Sequence, residues 1–219
     1  MASIIGWLNL YFFEYLLNIF FVRDQWSHPI IDNPAAPLHC QKEELISRLE
    51  KKIEILSDEK KSLNEDLGEN KKLGKQVTLV VEQKCQSKQE LNKYKLYVDE
   101  LDQVTYLLLK LSGRLAKAEN ALNMLPDHAS ESERAVLTAK RDELHAKHED
   151  AKDIKEGIDR RSQQVAAFLT KYLTAEEFTD YEDFIKMKLQ LTIEFQEIDD
   201  RVKQSEEQLK ALKHNMRAT

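Results

Sequence analysis

From Tyr94 to Leu125 the apolar residues of this chain recur every third or fourth position: Tyr94, Val98, Leu101, then Val104, Leu108, Leu111, Leu115, Ala118, Leu122 and Leu125. That spacing places them on one stripe of an α-helix about nine turns long, and a stripe so narrow is a seam for other long helices. The step of three from Leu101 to Val104 repeats the step before it, so the coiled-coil phase slips near residue 102. Leu107, Leu108 and Leu109 stand in a row and broaden the apolar face there, enough for more than one neighbouring helix. Ser112, Gly113 and Arg114 then interrupt the bulky pattern with a hydroxyl, a bare backbone and a fixed fork of donors.

Upstream, Leu45, Leu49, Ile53, Leu56, Leu63 and Leu67 predict a helix from about Glu43, weakened where Glu59 and Lys60 take the place of an apolar residue. Gly68 and Gly74 each cost about 1 kcal/mol relative to Ala in a helix interior, which predicts a kink, a frayed region or a short loop between 68 and 74. Leu73, Val77, Val80 and Val81 resume the seam, and a second break is expected around Gln86 to Gln89. Downstream, Pro126 and the polar run to Glu133 end the helix. Ser130 with Glu133 has the S-x-x-E spacing of a capping box and predicts that a third helix starts there, folding back antiparallel along the second. Its seven-residue repeat is Leu137, Leu144, Ala151, Ile158, Val165 and Tyr172, with polar Arg141, His148, Lys155 and Ser162 at the alternate seam positions. Each small or polar seam residue forfeits on the order of 1 to 2 kcal/mol of apolar burial, so this helix depends on association. Thr174 with Glu177 is a second capping box, opening a last helix with Phe178, Tyr181, Phe184, Ile185, Leu189 and a regular seam from Phe195 to Met216.

The start of the chain differs. Residues 4–22 form an apolar and aromatic run long enough to span a bilayer, followed at once by Arg23, yet Glu14 sits near its centre and no basic segment precedes it. A membrane anchor, a buried or interfacial helix, and an atypical start from a partial gene product are all compatible with it. Pro29, Pro34 and Pro37 mark residues 24–42 as a linker. The organisation expected is therefore 1–23 apolar segment, 24–42 linker, 43–61 helical lead-in and 62–216 helical domain.

Composition supports long helices: 33% of residues are charged, with only 5 Gly and 4 Pro in 219 residues. Lys and Glu are interleaved and the formal net charge is -6, so no nucleic-acid footprint is present. Cys40 and Cys85 lack metal or redox spacing and are expected to be free thiols. His145 and His148 lie three apart on one helical face, but as an isolated pair they are expected to be solvated rather than to hold a metal. No phosphate loop, nucleophile elbow or paired catalytic carboxylates appear, so the chain reads as a non-enzyme without cofactor. The fold class expected is all-α, an elongated and dimeric antiparallel coiled-coil or helical bundle.

The segments LGKQV at 73–77, KYKLYVDELDQVTYLLLKLSGRLAKAENAL at 93–122, IDRRS at 158–162 and KYLTAEEFTDYEDFIKMK at 171–188 resemble the C-terminal second Apx/Shroom domain of Shroom proteins over roughly residues 62–216. The resemblance implies a dimeric helical domain that binds the central coiled coil of Rho-associated kinase. It thereby directs the kinase to actomyosin at apical cell junctions, where myosin II contraction changes cell shape. Carried onto this chain, it nominates Ser112, Gly113, Arg114, Leu115 and Lys117 as kinase contacts, and Lys186 and Lys188 as a second group. Family members usually carry an N-terminal PDZ domain and an actin-binding region, which the first 60 residues here are too short to hold. A membrane-anchored or merely self-associating tether without kinase binding is the alternative.

Overall fold

A computed structural model of the chain describes residues 37–126 and 128–217. They form four helices: α1 (Leu38–Lys84), α2 (Lys88–Asn123), α3 (Glu131–Tyr172) and α4 (Ala175–Arg217), with no strand among the described residues. α1 packs along α4, and α2 along α3. Both pairs are antiparallel. Lys84 meets Glu177, Lys60 meets Asp199 and Lys213 meets Glu50 in the first pair, while Tyr97 meets Ser162 and Ser112 meets His148 in the second. α2 and α4 are also neighbours and run parallel, with Lys188 on Asp102 and Lys110 facing Asp200. The all-α bundle expected from the periodicity is the fold.

The four helices share one core where the end of α1, the start of α2, the end of α3 and the start of α4 converge. Val77, Val81, Tyr94, Tyr97, Leu101, Ile158, Val165, Phe168, Leu169, Tyr181, Phe184 and Ile185 are buried there. A smaller cluster of Leu108, Leu111, Ala118, Leu144 and Ala151 continues along α2 and α3. Val104 packs against both clusters, so the phase slip near residue 102 lies where α2 passes from a four-helix environment to a two-helix one. Alanines and a polar pair in the second cluster replace the aromatics of the first, which makes the distal half of the α2–α3 pair the more weakly held part.

Local signals set the boundaries. Ser130 accepts from the Glu133 amide at 3.2 Å while the Glu133 carboxylate accepts from the Ser130 amide at 3.0 Å, a complete capping box at the start of α3. Thr174 and Glu177 make the same reciprocal bonds at the start of α4, at 3.3 and 2.8 Å. Glu177 also accepts from Lys84 at 2.6 Å, tying this cap to the last turn of α1. Ser87 caps α2 through the Glu90 amide.

Two expectations are corrected. α1 begins at Leu38, five residues before Glu43 and inside the segment read as a linker. It also runs unbroken through Gly68 and Gly74, and the chain leaves the helix only at Cys85 to Ser87. The reason for continuity at Gly74 is tertiary. A Cβ there would stand 2.4 Å from Cε2 of Phe184, so the bare backbone is what lets the Phe184 ring lie against α1. Packing offsets the propensity cost that glycine carries. The apolar run at residues 4–22 lies outside the described residues; among those described, no helix is long and apolar enough to cross a membrane.

Candidate partner-binding surface

The residues of the Ser-Gly-Arg interruption point in three directions, because successive residues on a helix turn by about 100°. Ser112 points inward. It is 3% exposed and its hydroxyl lies 2.9 Å from Nε2 of His148, itself 6% exposed, across the α2–α3 seam. Burial pushes the His148 imidazole below its ordinary pKa; Lys152 adds to this, and Glu149 opposes it. His148 is thus a seam residue of the hairpin, which corrects the expectation of two solvated histidines; His145 alone is exposed.

Gly113 turns toward α4. A Cβ built on it would come within 4.0 Å of the Asp200 carboxylate, so an alanine would be accommodated and Gly113 is not sterically required. Leu115 is half-buried against the second cluster. Arg114 and Lys117 are exposed, and neither is tied into an ion pair among the described residues. Arg114 lies near Glu143 of α3, whose carboxyl is held below the usual range mainly by the hydrogen bond from Lys147, with Arg114 adding its field. That proximity is what an α2–α3 hairpin within one chain requires.

The second group separates as well. Lys188 is drawn in, 2.6 Å from the Asp102 carboxylate and 5.8 Å from the centre of the Phe184 ring, so it links α4 to α2. Lys186 is exposed on α4. The structure therefore divides the seven nominated residues. Arg114, Lys117 and Lys186 are on the surface, Ser112 is sealed inside the hairpin, and Gly113, Leu115 and Lys188 lie between the two.

Polar groups are also buried in the four-helix core at the start of α2. Tyr97 donates to Ser162 at 3.1 Å, and burial pushes its hydroxyl up to about 12. Tyr94 lies 3.1 Å from the Thr78 hydroxyl, and Tyr181, fully buried beside Tyr94, is raised well above the ordinary range by its burial. Glu100 pairs with Arg161, and Lys155 with Asp159, across and along the same seam. Tyr97 with Ser162 and Glu100 with Arg161 tie α2 to α3, Tyr94 with Thr78 ties it to α1, and Asp102 and Lys110 meet α4, which leaves one side of α2 exposed. Two apolar side chains are exposed on that side, Leu96 at 51%, which the periodicity passes over, and Leu107 at 40%, which the sequence places in the broadened apolar face. Eleven residues apart, they share one helical azimuth about 140° away from the seam, and the signal was that angle rather than their hydrophobicity.

Residues 23–216 match the family model of the Apx/Shroom domain ASD2. The chain is 46% identical over 176 residues to Shroom3 of Xenopus laevis, 44% identical over 175 to Shroom2 of Homo sapiens and 34% identical over 181 to Shroom of Drosophila melanogaster. These alignments cover 80%, 80% and 83% of this chain but only 10%, 11% and 11% of the three relatives. The chain thus spans about a tenth of the length of the curated relatives it matches.

Proposed function

Because this chain belongs to the Shroom family through its Apx/Shroom domain ASD2, we propose that it is a non-enzymatic scaffold that binds the coiled coil of Rho-associated kinase. In that role it directs the kinase to the actomyosin cytoskeleton at apical junctions, where myosin II contraction reshapes the cell. The observation that supports this most is the outer side of α2, where Arg114 and Lys117 stand exposed without ion-pair partners among the described residues. Arg in such a position can clasp a carboxylate with two parallel hydrogen bonds, and a helical coiled coil offers carboxylates at matching intervals. Ser112 and Leu115 act from beneath, by holding α2 against α3 so that Arg114 keeps its direction. Size-exclusion chromatography of the full chain with the purified kinase coiled coil should give one co-eluting complex. Joint replacement Arg114→Ala and Lys117→Ala should weaken it at least tenfold, and a parent chain that never co-elutes would remove the proposal.

Self-association is a second reading, and the tip of the α2–α3 hairpin favours it. Met124 is 71% exposed and Val136 65%, beside half-buried Leu122 and Leu137, so apolar seam is left uncovered at that end. A homodimer that covers this tip, or exchanges helices between copies, would bury it. Sedimentation equilibrium of the chain from micromolar to nanomolar concentration should resolve a dimer; a single monomeric species throughout that range excludes this reading.

A further inference from the structure

The two ends of α1 are held differently. Its last turns carry Val77 and Val81 into the four-helix core, and Phe184 fills the notch at Gly74. Over residues 43–67, Leu56 is the one apolar side chain that is buried. Ionic ties to α4 add to it. Lys60 donates to Asp199 at 2.8 Å and lies 5.4 Å from the centre of the Phe195 ring, and Lys213 donates to Glu50 at 2.7 Å. Asp199 also accepts from Lys203 of its own helix, so it keeps a cation when Lys60 leaves. The pair of Glu50 with Lys213 is exposed and contributes little, because water screens it. One contact opposes the pairing: burial pushes the Lys52 ammonium below its ordinary pKa and Arg201 of α4 adds to this, so two cations face each other across the seam. Where the two ends of α1 join, Gly68 is exposed and a Cβ on it would meet nothing within 4 Å, so no packing requires a glycine that loosens the helix. Asn70 follows, 6% exposed, with its carboxamide oxygen buried and without a hydrogen-bond partner, which weakens the pairing just before the core begins.

We propose that residues 38–67 are a strap that comes away from α4 as one unit, parting at Gly68, while the four-helix core stays folded. Closed, the strap covers the α4 seam from Phe195 to Met216; open, it leaves that seam to solvent. A detached helix loses the packing that gives it most of its stability, so the amides of the strap lose protection together. Those of the core exchange only when the whole fold opens. The strap is a cover built into the fold, and it does not depend on which partner the domain binds.

Amide hydrogen exchange of the full chain, read peptide by peptide in a mass spectrometer, tests this. Peptides within residues 43–66 should exchange at least about a hundredfold faster than those covering residues 77–81 and 94–101. Lys60→Met removes the clasp on Asp199 and should speed the strap at least about threefold, and Leu56→Ala at least about tenfold, with the core peptides unchanged. Lys60→Met decides the matter if Leu56→Ala does not fold. Strap and core exchanging at one rate in the parent overturns the proposal, because the chain then opens as a single unit. So does a Lys60→Met chain in which strap and core quicken together, or one in which the strap keeps the parent's rate.

Discussion

Gly68 and Gly74 offer a controlled comparison within one helix. Both lie in the interior of α1, six residues apart, yet a Cβ at Gly68 would meet nothing within 4 Å, whereas one at Gly74 would stand 2.4, 2.6 and 3.1 Å from three carbons of the Phe184 ring. Gly68→Ala should therefore gain the full helix preference, about 1 kcal/mol. Gly74→Ala gains the same preference but requires the Phe184 ring to retreat by about 1 Å to recover ordinary contact. That ring is 4% exposed and belongs to the four-helix core, so it has no open space to enter. Overpacking of this kind costs about 1 to 3 kcal/mol. The difference between the two substitutions isolates that cost, since the propensity gain cancels. Urea denaturation at one fixed protein concentration should place Gly74→Ala below Gly68→Ala by about 1 to 3 kcal/mol, and Phe184→Ala should abolish most of the difference in a double-mutant cycle. Equal stabilisation by the two alanines would refute the packing of Phe184 against Gly74.

Three further outcomes follow from the caps and the buried polar groups. Ser130→Ala removes the cap of α3 and should destabilise the fold by about 0.5 to 2 kcal/mol. The hydrogen bonds from Ser130 hold the Glu133 carboxyl below its ordinary value, so the advantage of the parent over Ser130→Ala should be present above the ordinary carboxylate range and shrink as pH falls through the lowered pKa. His148 is depressed by burial, so the unfolded chain takes up its proton first. Stability from this residue is whole above about pH 6.5 and declines as pH falls below that value; His148→Gln should flatten the decline measured by urea midpoints, and a parallel curve would count against it. With its hydroxyl pushed up to about 12, Tyr97 should stay neutral where an ordinary phenol has ionised, so Tyr97→Phe should remove the late part of an alkaline absorbance titration.

Much of the arrangement was legible in the order of residues. The long seam of α2 and the repeat of α3 at Leu144, Ala151, Ile158 and Val165 needed only a count of apolar positions, and all of these α3 residues are buried. Both capping boxes sit at the start of α3 and α4 because their bonds span only three residues. The short connection from Met124 to Ser130 made α2 and α3 an antiparallel pair. The family was legible too, in the segments at 93–122 and 171–188 that resemble the Apx/Shroom domain, and the family model matches residues 23–216.

What the sequence determined by itself, then, was everything that depends on neighbours a few residues away: helices, their caps, the hairpin of α2 with α3, and the class of fold. The tertiary structure alone decided which helix stands beside which over a separation of about a hundred residues. It placed Phe184 in the notch at Gly74 and kept α1 whole where local propensity favoured a break. It buried Ser112 against His148, and so turned one part of the Ser-Gly-Arg interruption inward while Arg114 faces out. A glycine, a serine or a histidine has no fixed preference for inside or outside, and only the shape and polarity of the helix packed against it selects one.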